Sequence, residues 1–209
     1  MEATGRGAMG IDLELGLNFT DTVNWRTSNH AEEELVSYAK LLEWSRRHHI
    51  LTARQEETLG SVTSKDESGR VLADAKRLRE AIYRIFSAIA HEKKADSNDL
   101  AVLNEFLSRS SPRLRVAELE EVYRWDWSGS TSPDMMIYPI ASSAASLLTS
   151  DELSRVRECA NEEEGCGSLF LDSSKSQTRR WCDMKSCGNR AKSRAYYDRH
   201  LRGNPTGPI

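Results

Sequence analysis

The chain has 209 residues, of which 38% are hydrophobic and 29% charged, with a formal net charge of −3. Its apolar stretches are short and interrupted by charges, which excludes a membrane-spanning helix, and its N-terminus lacks the apolar segment of a secretory signal. The length fits one domain, or a medium domain with a small module attached, and we expect it to be cytoplasmic.

The N-terminal segment alternates between apolar and polar residues. Positions 11, 13, 15, 17 and 19 are apolar, which predicts a short half-buried strand or an extended segment. A polar cluster overlaps and follows it, and four of its side chains are candidates for a small-molecule effector pocket: Asn18, Asp21, Asn24 and Arg26. The more ordinary interpretation is that such residues cap helices or bind backbone groups.

The rest of the first 150 residues is predicted to be mostly helical. Asn29 and Glu32 have the spacing of a capping pair, and the apolar periodicity beyond them is typical of helices. The predicted helices cover 30–49, 52–59, 71–91, 97–107 and 134–148. Alternating aromatic residues predict a β-hairpin over 113–127. We therefore expect a mainly α-helical domain with minor β-structure over 11–150.

All four cysteines lie in the last quarter of the chain, at Cys159, Cys166, Cys182 and Cys187. Two close pairs separated by fifteen residues suit a tetrahedral Zn²⁺ held by thiolates, although two disulfides are the alternative. A reducing compartment favours zinc. Four thiolates fill the coordination shell, which favours a structural over a catalytic metal.

The cysteines define a second predicted module over 151–203, formed by a zinc-bound β-hairpin and a helix starting at Arg190. Gly188 is expected to turn the chain after Cys187, and Asn189 to cap the helix. Replacing Cys182 or Cys187 by Ser is expected to release zinc and unfold this module while the helical domain stays folded.

Charge is divided unevenly along the chain. Residues 1–171 contain 20 Lys and Arg against 29 Asp and Glu, whereas residues 172–202 contain 9 against 3. A basic tail on an acidic body is the pattern expected when only the tail contacts a polyanion. The candidate nucleic-acid contacts are Arg179, Arg180, Lys185, Arg190, Lys192, Arg194 and Arg199. The alternative is a solvated helix face, and the acidic 162–164 loop is expected to repel phosphate locally.

The run from Arg179 to Arg194, with Cys-Gly-Asn-Arg at 187–190, resembles the CGNR zinc finger of bacterial proteins. The segments 17–24, 78–86 and 100–107 resemble the ABATE domain, which is usually joined to that finger and is described as a candidate stress-induced transcription regulator. The resemblance implies that the four cysteines bind Zn²⁺ and that the finger binds DNA.

The sequence therefore predicts a DNA-binding bacterial regulator whose helical domain senses an effector or forms a homodimer. A zinc-stabilised adaptor that binds a protein or RNA, without DNA affinity, is the alternative. No catalytic triad, phosphate-binding loop or metalloprotease motif is recognisable in the chain, so we expect no enzyme activity.

Overall fold

The computed structural model describes residues 12–119, 122–127 and 132–201. Within these ranges the helices are α1 (Leu15–Thr20), α2 (Tyr38–Arg47), α3 (Ala53–Val62), α4 (Lys65–Ala90), α5 (Ser97–Ser110), α6 (Ile137–Leu148) and α7 (Asn189–Leu201). Three antiparallel pairs are formed by β1 (Val23–Asn24) with β2 (Glu32–Glu33), β3 (Arg115–Leu119) with β4 (Val122–Asp126), and β5 (Val156–Glu158) with β6 (Leu169–Leu171). The prediction of a mainly α-helical fold with minor β-structure is confirmed. No helix in the described ranges has the length and apolar character needed to cross a bilayer.

The long helix α4 lies at the centre of the core. Leu78, Ile82 and Ile85 on its inner face are fully buried, as their helical spacing predicted. The helix begins six residues before the predicted start because Ser64 caps it, with its Oγ accepting the Glu67 N–H at 3.3 Å. The apolar periodicity marks only the buried part of a helix, so it missed these first six residues, most of which are exposed.

The predicted N-terminal strand is wrong, because the segment forms helix α1. Nearly every residue of α1 is buried, so no polar face reveals the helical period. Gly16 makes the close packing on α6 possible: its N–H donates to Ser143 Oγ at 2.9 Å, and a Cβ would lie 3.2 Å from the backbone of Ala144. A helix surrounded by protein on all sides can carry any apolar pattern, including alternation.

The predicted helix over 30–49 is shorter than expected. Ser37, rather than Asn29, caps α2 by accepting the Lys40 N–H. Glu32 instead belongs to β2. The neighbouring Glu33 contacts helix α4: its carboxylate accepts two hydrogen bonds of 2.8 Å from the buried Arg79.

The C-terminal hairpin shares the core of the helical domain. Val156 of β5 and Leu169 and Leu171 of β6 are buried in the same hydrophobic cluster as the helices. The Glu158 carboxylate also accepts a hydrogen bond of 3.1 Å from the Tyr83 hydroxyl on α4. The two predicted modules therefore meet through a common apolar core rather than a flexible linker.

Candidate metal centre and nucleic-acid surface

The four cysteines converge at the end of the β5–β6 hairpin. Cys159 follows β5, Cys166 precedes β6, and Cys182 and Cys187 come from the segment before α7. Their four Sγ atoms all lie within 4.8 Å of one another. Cys159, Cys166 and Cys187 are buried, and Cys182 is partly buried.

The spacing of the sulfurs fits a tetrahedral metal. The Sγ atoms of Cys166, Cys182 and Cys187 are separated by 3.7, 3.7 and 3.5 Å. With Zn–S bonds of about 2.3 Å, the edges of a regular tetrahedron are about 3.8 Å. Sulfurs of disulfides would be about 2 Å apart, so the disulfide alternative is not what the chain adopts. The centre is a four-thiolate site for Zn²⁺, which serves there to hold the loops together.

The close approach of the sulfurs shifts the pKa values of two of the thiols in opposite directions. Hydrogen bonds from Cys166 and Cys182 lower the pKa of Cys159 to about 4, while contacts with Cys159 and Cys166 raise the pKa of the Cys182 thiol. Four thiolates at these distances repel one another strongly. A bound dication offsets that repulsion, which is why such a centre and its metal form together.

The loop around Cys166 docks on a segment of the helical domain, residues 25–28. Arg26 N–H donates to Cys166 O at 3.2 Å, and Thr27 N–H donates to Gly165 O at 3.1 Å. Gly165 has a φ of 68°, and a Cβ there would lie 2.5 Å from Ser28. The indole of Trp25 packs against the cysteine cluster. The helical domain thus supplies one wall of the metal centre.

We expect Gly165→Ala to destabilise the protein by about 2 kcal/mol, because it adds left-handed backbone strain to a steric clash. Gly69→Ala is the matched control, since a Cβ at Gly69 on α4 meets nothing within 4 Å. That change should leave stability unchanged or raise it slightly. Thermal unfolding of both variants checks the expectation, and equal midpoints would contradict it.

The segment leading into α7 differs from the prediction. Met184–Gly188 forms a single π-turn that runs directly into the helix, so Asn189 is a helical residue rather than its N-cap. Its Nδ2 donates to Lys185 O at 3.1 Å. Gly188 is not among the residues with positive φ. The turn is instead capped by Asp183, whose carboxylate accepts the Ser186 N–H at 2.9 Å.

Helix α7 extends from the metal centre into solvent. None of its residues from 189 to 200 is buried, and Ala191 and Arg194 alone are partly buried. Tyr196 and Tyr197 are 61% and 55% exposed. A 13-residue helix is about 20 Å long, so α7 presents an extended polar rod with no apolar face to bury.

The candidate nucleic-acid residues on α7 do not form one patch. At about 100° per residue, Arg190 and Arg194 share one side of the helix, whereas Lys192 and Arg199 lie on the opposite side. Lys185 lines the same surface groove as Arg190 and Arg194. We call Arg190 and Arg194 the proximal face and Lys192 and Arg199 the distal face.

The proximal face is occupied by the acidic turn, Glu162–Glu164. Arg190 Nη1 lies 3.1 Å from a Glu164 carboxylate oxygen, and Arg194 contacts both Glu163 and Glu164. Burial opposes ionisation of Glu164, but its hydrogen bond from Arg190 and the charge of Arg194 hold its pKa below the ordinary value. The acidic loop, which was expected to repel phosphate, is thus paired with the two arginines of the proximal face.

The other two candidates lie close to the metal centre. Arg179 stacks on Phe170, with its Cζ 4.5 Å from the ring centre, and donates to the carbonyl oxygens of Trp181 and Cys182. Arg180 lies over Trp181, at 5.4 Å. Arg179 thus supports the loop that carries Cys182, and its role as a nucleic-acid contact stays a prediction.

The predicted effector residues are divided by the structure. Asn18 and Asp21 line a cleft of ≈ 130 Å³ between α1 and β6, together with Arg179 and Cys182. Asn24 lies elsewhere, its Nδ2 donating to Glu34 at 2.8 Å.

Arg26, the fourth predicted effector residue, is held by contacts within the helical domain. It donates to Glu80 and to Thr20 O at 2.6 and 2.8 Å. Its guanidinium also lies 4.2 Å from the ring centre of Tyr83.

Burial raises the pKa of Asp21 to about 7, although a hydrogen bond from Ser168 opposes this. Asn18 and Asp21 thus remain as the pair that faces a cleft.

The sequence suggested Trp25 only as part of an effector pocket and did not place it at the metal centre. Its indole touches the cysteine cluster and stacks under Arg190, whose Cζ is 4.7 Å from the ring centre. Its backbone has a φ of 51°, which is uncommon for a residue other than glycine. Trp25 lies 134 positions before the metal ligand Cys159, and no local pattern in the sequence indicates a contact between residues so far apart.

Comparison with known families agrees with this architecture. Residues 13–151 match ABATE, described as "putative stress-induced transcription regulator", and residues 155–200 match the CGNR zinc finger. No curated protein matches the chain. Since the first match alone covers more than half of the sequence, the chain belongs to the ABATE family and carries a CGNR zinc finger at its C-terminal end.

Proposed function

We propose that this protein is a bacterial transcription regulator that binds DNA through α7. The observation that carries the proposal is the helix itself, which extends from a rigid metal centre with four cationic side chains and no buried residue from 189 to 200. A helix that is polar on all sides gains little from packing on its own protein. Its charge is opposite to that of the acidic body, which favours a polyanion as partner.

The dimensions of α7 support this partner. The major groove of B-DNA is about 12 Å wide and admits one α-helix, and α7 is long enough to follow it for several base pairs. Arginine guanidinium groups bind phosphates and the edge of guanine through paired hydrogen bonds. We assign the principal contacts to the proximal face, Arg190 and Arg194, with Lys185 beside it. Tyr197 continues this face along the helix.

Zinc contributes geometry rather than chemistry to this function. Four cysteine ligands fill its coordination shell, so the metal fixes the direction of α7 relative to the helical domain. No catalytic reaction is proposed.

The helical domain is proposed to sense a ligand in the cleft at Asn18 and Asp21, or to bring two copies together as a homodimer. A DNA-binding role places the protein in the cytoplasm, with the chromosome.

The test compares two variants that lose the same charge from opposite sides of α7. We expect Arg190→Ala/Arg194→Ala to weaken binding to a random duplex by about 30-fold, and Lys192→Ala/Arg199→Ala by less than about 5-fold. Fluorescence anisotropy of zinc-loaded proteins at low salt measures both. Equal losses would contradict the assignment of the proximal face. No binding by the wild type would favour the adaptor that binds protein or RNA.

A further inference from the structure

We infer that the acidic turn, Glu162–Glu164, is an internal competitor for nucleic-acid phosphates: it holds Arg190 and Arg194 in the free protein, and the two arginines turn away from it on binding. This inference rests on the proposed function and concerns the regulation of the same face. In the free protein, the two arginines nearest the metal are already paired with glutamates of the turn. We call this set of ion pairs the mask.

Three ion pairs between two segments make up the mask. Glu164 pairs with both Arg190 and Arg194, and Glu163 pairs with Arg194. A carboxylate presents two oxygens to a guanidinium in much the same way as a phosphate does. Arg194 donates one Nη to Glu163 and the other to Glu164, and Arg190 donates Nη1 to Glu164, so these nitrogens are not available to a phosphate while the pairs persist. Binding must therefore exchange one anion for the other.

The carboxylates are held in place by the metal centre. The turn lies between the ligands Cys159 and Cys166, and Gly165 at its end is fixed by the hydrogen bond from Thr27 N–H to its carbonyl oxygen. The Asn161 side chain, 2% exposed, also donates to Glu164 at 3.5 Å. Because the turn is anchored, the exchange requires the arginine side chains to rotate away from it.

The helical domain contributes to the same contact. Trp25 stacks on Arg190 from the side of residues 25–28, the segment that also binds the loop around Cys166. The stacked ring limits the positions that the guanidinium can take. The mask is thus assembled from the finger and the helical domain together.

The mask is expected to weaken DNA binding without abolishing it. The carboxylate of Glu163 is 72% exposed, and exposed ion pairs contribute little individually. Two arginines held by three pairs form a small network, and removal of both carboxylate charges should tighten binding by about tenfold at low salt. Because these ion pairs must be broken on binding, they would reduce the affinity for DNA whose phosphates do not lie within reach of Arg190 and Arg194.

The experiment uses three single variants of one turn, Glu162→Gln, Glu163→Gln and Glu164→Gln. Glu162 is exposed and forms no ion pair within the described part of the chain, so it controls for the loss of one charge. We expect Glu164→Gln to raise affinity for a random duplex the most, by about 5-fold, and Glu163→Gln less. Glu162→Gln should change affinity by less than about 2-fold. All three side chains are at least partly exposed, so the variants should fold.

A double-mutant cycle then separates direct pairing from long-range charge. Among the described residues, Glu163 pairs with Arg194 alone, so Glu163→Gln should tighten binding in the wild-type background and have no effect in an Arg194→Ala background. If all three glutamine variants tighten binding equally, or if the cycle is additive, the mask is wrong while the DNA-binding function stands. If neither the wild type nor any variant binds duplex at low salt, the proposed function and the mask both fail.

Discussion

Cys187→Ser is expected to lose zinc and to lower the unfolding free energy of the whole chain by about 3 kcal/mol or more. The Cys187 side chain is buried in the four-sulfur cluster, so no neighbouring group can replace its thiolate. The hairpin on which the metal centre is built contributes Val156, Leu169 and Leu171 to the core of the helical domain. Loss of the metal should therefore destabilise the helical domain as well as the finger.

This expectation differs from the one based on sequence, in which only the finger unfolds. A single cooperative unfolding transition, with a midpoint lowered by roughly 10 °C, is the predicted result of a circular dichroism melt. Ser186→Ala, at an exposed position beside the ligand, should retain one equivalent of zinc by metal analysis and the wild-type midpoint. Two transitions, with the upper one at the wild-type midpoint, would show that the finger unfolds alone.

Arg79→Met is expected to destabilise the protein by about 3 kcal/mol, since it removes a buried guanidinium and leaves the partly buried carboxylates of Glu33 and Glu80 without that partner. The Arg79 side chain is only 4% exposed and binds both oxygens of Glu33 at 2.8 Å. It also donates to Glu80 at 2.9 Å and to Thr22 Oγ1 at 3.0 Å. These bonds fix the loop between α1 and α2, which includes the segment that docks on the metal centre.

The same helix supplies a matched control. Arg77 also binds a carboxylate through two hydrogen bonds, to Glu105 at 2.7 and 2.6 Å, but its side chain is 43% exposed. Arg77→Met should therefore cost less than about 1 kcal/mol. Urea denaturation of the two variants measures the difference. Equal costs would show that burial is not what makes the Arg79 interaction strong.

The cost of Arg79→Met should depend on pH. Burial alone would raise the pKa of Glu33, but the hydrogen bonds and charge of Arg79 outweigh it and lower that pKa to about 2. A carboxyl whose pKa is lower in the folded state stabilises the protein above its unfolded pKa, here near 4.5, and loses that contribution as the pH falls towards 2. The difference between wild type and variant should thus shrink between about pH 4.5 and about pH 2.

The sequence predicted those features that depend on local pattern. Clustered cysteines indicated the metal centre, the period of Leu78, Ile82 and Ile85 indicated the buried face of α4, and the segments flanking the first two cysteines indicated the β5–β6 hairpin. These signals are carried by neighbouring residues. The helix α1 was mistaken for a strand because burial on all sides removes the polar face that a periodicity analysis needs.

The contacts between distant segments could not be read in this way. The contacts of Trp25 with Arg190 and of Arg79 with Glu33 join positions that only the tertiary fold brings together. The division of α7 into two faces was, in contrast, readable from the helical period. The consequence of that division depends on the tertiary fold, which places the acidic turn on one of those faces.

The measurement that tests the central claim most directly is the affinity of the zinc-loaded wild type for a random duplex from low to physiological salt. Binding through α7 predicts a steep loss of affinity with salt, with a logarithmic slope of roughly −5 if about six phosphates are neutralised. Removal of zinc with a chelator should abolish the binding, since α7 then loses its fixed position. Absence of binding at the lowest salt, or binding that survives zinc removal unchanged, would contradict a zinc-dependent DNA-binding helix.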